Sequence, residues 1–198
     1  MSRQPAVKGR GTPANPSGRF ERLAFVEELG DEPDEARPAR PTELFRDTSK
    51  TILAFNDSPD APMDASVNPY RGCEHGCIYC YARPYHEYLG LSAGADFESK
   101  IFVKDNAAAL LREALSAKSW TPQVIGLSGV TDPYQPVERK LRMTRACLEV
   151  LEEFRNPVAV ITKNHLVTRD ADLLASLAQH QAAQVFSRCS ISIDAGWA

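Results

Sequence analysis

Apolar and polar positions along this chain follow two periods. The runs Val124-Ile125-Gly126-Leu127-Ser128-Gly129-Val130 and Val158-Ala159-Val160-Ile161-Thr162-Lys163 are nearly continuous in apolar residues. Runs of that length suit strands buried on both faces of a parallel sheet. Between and after them the period becomes helical. Leu110, Leu111, Ala114 and Leu115 predict a helix over 107–118, capped by Asp105 or Asn106. Leu141, Leu148 and Leu151, with Cys147 and Phe154 beside them, predict one continuous helix over 138–154. Thr168 caps a further helix reaching Gln179, with Leu173, Leu174 and Leu177 inward.

Weaker signals fill the gaps. Ile52, Leu53 and Phe55 predict a short strand or strap within 48–55, closed by a turn cluster over 56–62. Strands are expected over 65–70, 97–103 and 189–194, and a helix over 83–89 ended by Gly90. Strand–helix alternation of this kind argues for an α/β fold with a parallel sheet and right-handed crossovers. The segment 1–41 departs from it. Residues 1–19 are rich in Arg, Pro, Gly and Ser and carry little to bury, so disorder is expected. A short helix over 20–29 stops at Gly30, and the Pro-rich stretch 31–41 reads as a linker. The chain thus divides into a disordered extension, 1–41, and one folded domain, 42–198.

Composition narrows the class. Hydrophobic residues at 43%, charged residues at 25% and a net charge of −3 describe an ordinary globular protein. They carry no global basic signal for nucleic acid or an anionic membrane. Arg3, Lys8, Arg10, Arg19 and Arg22 make the tail basic, which reads first as a solvated tail and second as a nucleic-acid contact. No apolar run approaches the roughly 18 residues of a spanning helix, and the start lacks a signal-peptide core. A cytoplasmic location without membrane contact follows as an expectation, in a compartment where thiols stay reduced.

The chemistry concentrates in Cys73-Glu74-His75-Gly76-Cys77-Ile78-Tyr79-Cys80, which holds three of the five cysteines in the pattern C-x-x-x-C-x-x-C. Thiolates are soft ligands that select zinc or iron–sulfur clusters. Three of them leave a cubane cluster one iron short of full protein ligation, and that iron can bind a small molecule. Two other readings remain open on the residues alone. A Cys₃His zinc site can draw on His75 or His86, although the spacing differs from ribbons and fingers. A disulfide framework conflicts with an odd cysteine count and the missing secretion signal.

The loop, with Tyr79 just before its last cysteine, resembles the signature of radical S-adenosylmethionine (SAM) enzymes. Asn68-Pro69-Tyr70-Arg71-Gly72-Cys73, Tyr81-Ala82-Arg83-Pro84 and Thr131-Asp132-Pro133-Tyr134-Gln135-Pro136 are similar to the spore photoproduct lyase-like branch, among its bacterial members of unassigned substrate. The resemblance spans residues 40–194. It implies a [4Fe–4S] cluster on Cys73, Cys77 and Cys80, and SAM bound at the free iron. It further implies Tyr79 near the adenine, with Thr131, Asp132 and Lys163 as cofactor contacts at strand ends. Turn capping is the plainer role for Thr131 and Asp132, and a solvated strand-end charge for Lys163. Arg71 is expected beside the cluster or on the surface, and Tyr134, Gln135 and Glu138 on the substrate-side rim. Cys147 reads as structural, and Cys189 as structural or as part of an end that departs from the family's run there.

The implied activity is reductive cleavage of SAM by a radical SAM enzyme fed by a low-potential donor such as flavodoxin or ferredoxin. Its substrate is unknown, with nucleic acid implied by resemblance alone. Spore photoproduct lyase has a hydrogen-donating cysteine before the Ser/Thr-Asp pair, where this chain has Gly129 and Val130, so repair by the same route does not carry over. The family's barrel has about six strand–helix units, against eight in the full (β/α) barrel. This chain ends after its fifth expected strand, which reads as an incomplete, C-terminally truncated radical SAM barrel with an exposed sheet edge. An inactive cluster-binding remnant, or a zinc or redox module without SAM chemistry, are the alternatives.

Overall fold

The middle of the first apolar run, residues 125–127 of the expected 124–130, and nearly all of the second, 158–162, lie side by side at the centre of a sheet. The computed structural model describes residues 41–57 and 63–187. Its strands are β1 (Glu43–Arg46), β2 (Leu53–Phe55), β3 (Ala65–Val67), β4 (Tyr70–Arg71), β5 (Lys100–Val103), β6 (Ile125–Leu127), β7 (Val158–Thr162) and β8 (Ala183–Ser187). Its α-helices are α1 (Ala95–Ser99), α2 (Ala107–Ser116), α3 (Glu138–Leu141), α4 (Met143–Glu153) and α5 (Ala171–Gln179). Arg83–Leu89 and His165–Asp170 are 3-10 segments.

The fold is mixed α/β with two sheets. The larger has the order β2-β3-β6-β7-β8, with β3, β6, β7 and β8 parallel and β2 antiparallel at one edge. The smaller has the order β1-β5-β4, with β1 parallel and β4 antiparallel to β5. Ile125, Leu127, Val158 and Val160 meet Leu111, Leu115, Leu148, Leu151 and Leu177 from the helices in one main core. Cys147 is fully buried there, as a small hydrophobe. At the far edge, β8 leaves Val185 and Phe186 exposed.

Several expected elements are cut by local chemistry. The strand expected over 65–70 is two strands in different sheets. Pro69 has no N–H to continue a ladder, so pairing to β6 stops at Val67, and Tyr70–Arg71 pairs with β5 instead. The strand expected over 97–103 is helical in its first half. Asp96 accepts from the Ser92 amide at 3.2 Å and Ser99 Oγ donates to the Ala95 carbonyl at 2.8 Å, holding the α1 turn. The strand that remains, β5, belongs to the smaller sheet and not to the parallel series.

The helix expected over 138–154 breaks at Arg142, whose φ of 55° is left-handed. Buried Glu138 explains the break: its carboxylate accepts the Thr144 and Arg145 amides at 3.0 and 3.3 Å, and so caps a new helix. The segment before α5 begins at His165 rather than Thr168. Asn164 accepts the Leu166 amide at 3.0 Å, while Thr168 Oγ turns back to the His165 carbonyl. The segment 83–89 is 3-10 rather than α, and Gly90 stops it at a φ of 72°. Strands β1 and β8 were not foreseen.

The expected strand 189–194, Cys189, the extension 1–40 and part of the 56–62 turn lie outside the described residues. Among the described residues, no helix is long and apolar enough to cross a membrane. Leu148 sits at 0% exposure between α4 and the rest of the main core. A Leu148→Ala substitution is expected to cost about 2–5 kcal/mol, read as a lower urea midpoint at unchanged slope.

Candidate functional site

The parallel strands β6 and β7 end beside the cysteine loop, and a pocket of about 590 Å³ opens between them. Cys73, Cys77, Cys80 and Tyr79 line it from the loop. Thr131 and Asp132 line it from the segment after β6, and Lys163 from the end of β7. The seven residues expected to hold the cluster or its cofactor therefore border one cavity, together with His75.

The loop is a chain of short turns pinned from both sides. Gly76 N donates to Cys73 O at 3.4 Å and Cys80 N to Cys77 O at 3.2 Å. On one side, the Cys73 amide donates to Phe97 O at 2.8 Å. There Gly72 has a φ of 81°, and a Cβ would lie 2.9 Å from the Lys100 carbonyl, so only glycine fits. On the other side, buried Gln135 accepts the Glu74 amide at 3.0 Å and donates to Gly72 O at 3.1 Å. Glu74 itself accepts the Val137 amide and the Thr42 hydroxyl, each at 2.6 Å.

The polar floor is built around Asp132. It accepts the Thr162 hydroxyl at 2.6 Å and the Lys163 and Tyr134 amides at 2.9 Å each. His75 Nε2 lies 3.4 Å from its Oδ2, without hydrogen-bond geometry. Burial opposes the charge, yet His75, the two amides and Thr162 together hold the carboxyl below the usual carboxylate range. Thr131 is buried and donates to Tyr70 O at 3.2 Å. In this state both side chains clamp the strand-end turns.

The Cys73 thiol carries the opposite bias. Burial pushes the Cys73 thiol up to about 12, and amide bonds from Asp132 and His75 relieve only part of that. Lys163 Nζ donates to Cys77 Sγ at 2.7 Å. Burial works against its ammonium, but the Cys77 bond and the neighbouring Cys77, Tyr79 and Cys73 groups raise its pKa above the ordinary lysine value. Cys73, Cys77, Cys80 and Cys147 are all free. Among the described residues, no three His, Cys, Asp or Glu side chains close on a point that a single metal ion can occupy.

Other expectations are corrected by packing. Tyr134, Gln135 and Glu138 do not face a rim; each is at 0% exposure. Glu138 accepts from the Tyr70 hydroxyl at 2.5 Å and from Arg169 at 2.7 Å. Arg71 turns from the cysteines to Asp47 at 3.0 Å and Ser49 at 2.8 Å. His86 is buried edge-on against Phe97 and Phe102, away from the pocket, so it is no partner for the three thiols. Sequence reasoning missed Gln135 as a staple, because its two partners lie more than sixty positions away.

No family model and no solved structure matches the chain. Uncharacterized proteins of Mycobacterium bovis and Mycobacterium tuberculosis are each 40% identical to it over 135 residues, covering 67% of this chain and 40% of theirs. An uncharacterized protein of Methanocaldococcus jannaschii is 32% identical over 108 residues, covering 54% of this chain and 38% of its own. The chain spans about 40% of the length of the curated relatives it matches.

Burial depresses the His86 pKa to about 4 despite the nearby Asp96 charge. The folded state therefore binds its proton later than the unfolded chain does. The stability from neutral His86 is full above the unfolded value and drains as pH falls toward about 4. Urea curves are expected to lose about 2 kcal/mol from this residue between pH 7 and pH 5, and a His86→Gln variant to lose less over that interval.

Proposed function

We propose that this chain carries the cluster- and cofactor-binding part of a radical SAM enzyme, on a partial (β/α) barrel. The observation that carries the reading is the meeting of Cys73, Cys77 and Cys80 with Lys163 and Asp132 around one open pocket. The donor set fits the group. Three free thiols border one cavity without converging on a single point, which suits a multi-iron cluster better than one ion. The parallel order β3-β6-β7-β8, with the pocket at strand ends, agrees with where such barrels keep their sites.

In this reading Cys73, Cys77 and Cys80 would hold a [4Fe–4S] cluster, and the pocket they line would receive SAM. When bound, such a cluster would supply the electron for reductive cleavage of the sulfonium C–S bond of SAM, the chemistry that starts hydrogen abstraction from a substrate. The residues of the chain bind, orient and exclude water. Lys163, released from Cys77 Sγ, would offer its ammonium to the SAM carboxylate, and the side of Asp132 that now faces His75 would be left for the SAM amino group, with Thr131 fixing the turn beside it through Tyr70 O. Tyr79, 74% exposed at the lip, offers a face to the adenine. A low-potential donor such as a flavodoxin or ferredoxin would supply the electron.

The test is anaerobic reconstitution with iron and sulfide, then SAM and dithionite. The expected result is brown protein with about four irons per chain and release of 5′-deoxyadenosine, both abolished in Cys77→Ala. A colourless protein holding one stoichiometric zinc would sink the reading. A full cluster with no cleavage of SAM would remove catalysis from this chain.

A further inference from the structure

The side chain of Arg83 lies three residues beyond the last cysteine of the loop and returns to it from behind. Its Nε donates to the Cys77 carbonyl at 2.9 Å. One terminal nitrogen donates to the Ala93 and Gly94 carbonyls at 3.2 and 3.1 Å, and the other to the Glu98 carboxylate. The guanidinium also sits 5.3 Å from the centre of the Phe97 ring. Its backbone amide reaches the Cys80 carbonyl at 3.4 Å. A single residue thus holds the backbone of two of the three cysteines and ties it to the segment that starts α1.

Three features give this brace a purpose beyond filling space. Glu98 is at 0% exposure and the Arg83 side chain at 11%, so the pair is desolvated and exacting in geometry. The pair is neutral as a unit, so it does not act as a counter-charge for thiolates; Lys163 takes that place at Cys77. Neither Arg83 nor Glu98 lines the pocket. A planar fork that satisfies four acceptors in fixed directions cannot be matched by a lysine, whose point charge has no such geometry.

We infer that Arg83, oriented by Glu98, is a positioning residue that presets the Cys77–Cys80 turn so that the loop can take its metal cluster. It lies outside the pocket and acts through the Cys77 carbonyl, as partners behind metal ligands do. The identity of what the loop holds rests on the function proposed above, but the brace itself is a property of the metal-free chain.

Two variants of the full chain test it. Arg83→Lys keeps the charge and loses the fork. The double substitution Arg83→Met with Glu98→Leu removes both charges together, leaving neither one buried and unpaired. Arg112→Met, at the exposed Arg112–Glu153 pair (2.7 Å), is the control. Three quantities are read: the thermal melt, alkylation rates of Cys77 and Cys80 in metal-free protein, and iron with its visible and EPR spectrum after reconstitution.

Both variants are expected to melt cooperatively, to alkylate several-fold faster at Cys77 and Cys80, and to show iron affinity lower by about 10-fold or more. The control should match the parent in all three. Parent-like alkylation in both variants overturns the proposal, whatever their iron content. So does loss of cooperative melting in both, which would assign the pair to the fold. If the parent itself takes no iron, the cluster reading falls while the alkylation rates still decide the brace.

Discussion

The carboxylate of Asp132 is where three distant pieces of the chain are tied together. It accepts from Tyr134 in its own turn, from Thr162 and Lys163 at the end of β7, and it faces His75 in the cysteine loop. A carboxylate has room for about four such bonds, and this one is nearly saturated. Charge-assisted bonds of this kind keep a buried carboxylate ionised against the cost of burial. That charge shapes its surroundings. It adds to the burial that opposes ionisation of Cys73, and it leaves Lys163 as the cation that serves the thiols.

The two sheets divide the labour. The parallel strands of the larger sheet end together and present Thr131, Asp132 and Lys163. The smaller sheet carries the cysteine loop, since β4 leads directly into it and Phe97, just before β5, receives the Cys73 amide. Pro69 is what separates them, by ending one ladder so that the next residues pair elsewhere. From then on, the loop is held on one flank by Phe97 and on the other by Gln135, while its own Glu74 reaches out to Val137 and Thr42. Gly72 is the point of closest approach, where backbone meets backbone and no side chain fits.

Behind the floor runs a second polar layer. Glu138 gathers Tyr70, Thr144, Arg145 and Arg169, and Asp170 takes Arg145 and Arg169 in turn. Glu138 and Asp170 are fully buried, so removing one partner would leave a charge without compensation. This layer fixes the start of α4 and the approach to α5. It also explains why a helix with an unbroken apolar stripe is nonetheless broken at Arg142.

Residues close together in sequence revealed themselves without a structure. Cys73, Cys77 and Cys80 announce a shared site because so short a loop cannot send them to different places. The apolar runs at 124–130 and 158–163 announce buried strands because little else hides so many consecutive apolar residues, and Lys163 and Asp132 follow as strand-end groups. Tertiary structure alone decided the rest. Gln135 became a staple, Arg83 and Glu98 a brace, and Glu138 a helix cap, because each found partners that periodicity cannot indicate. Phe97 became helical and Tyr70 changed sheets for the same reason. Hydrophobic spacing reports which face of an element is buried, whereas the fate of a buried polar group depends on which donor or acceptor the fold brings within 3 Å of it.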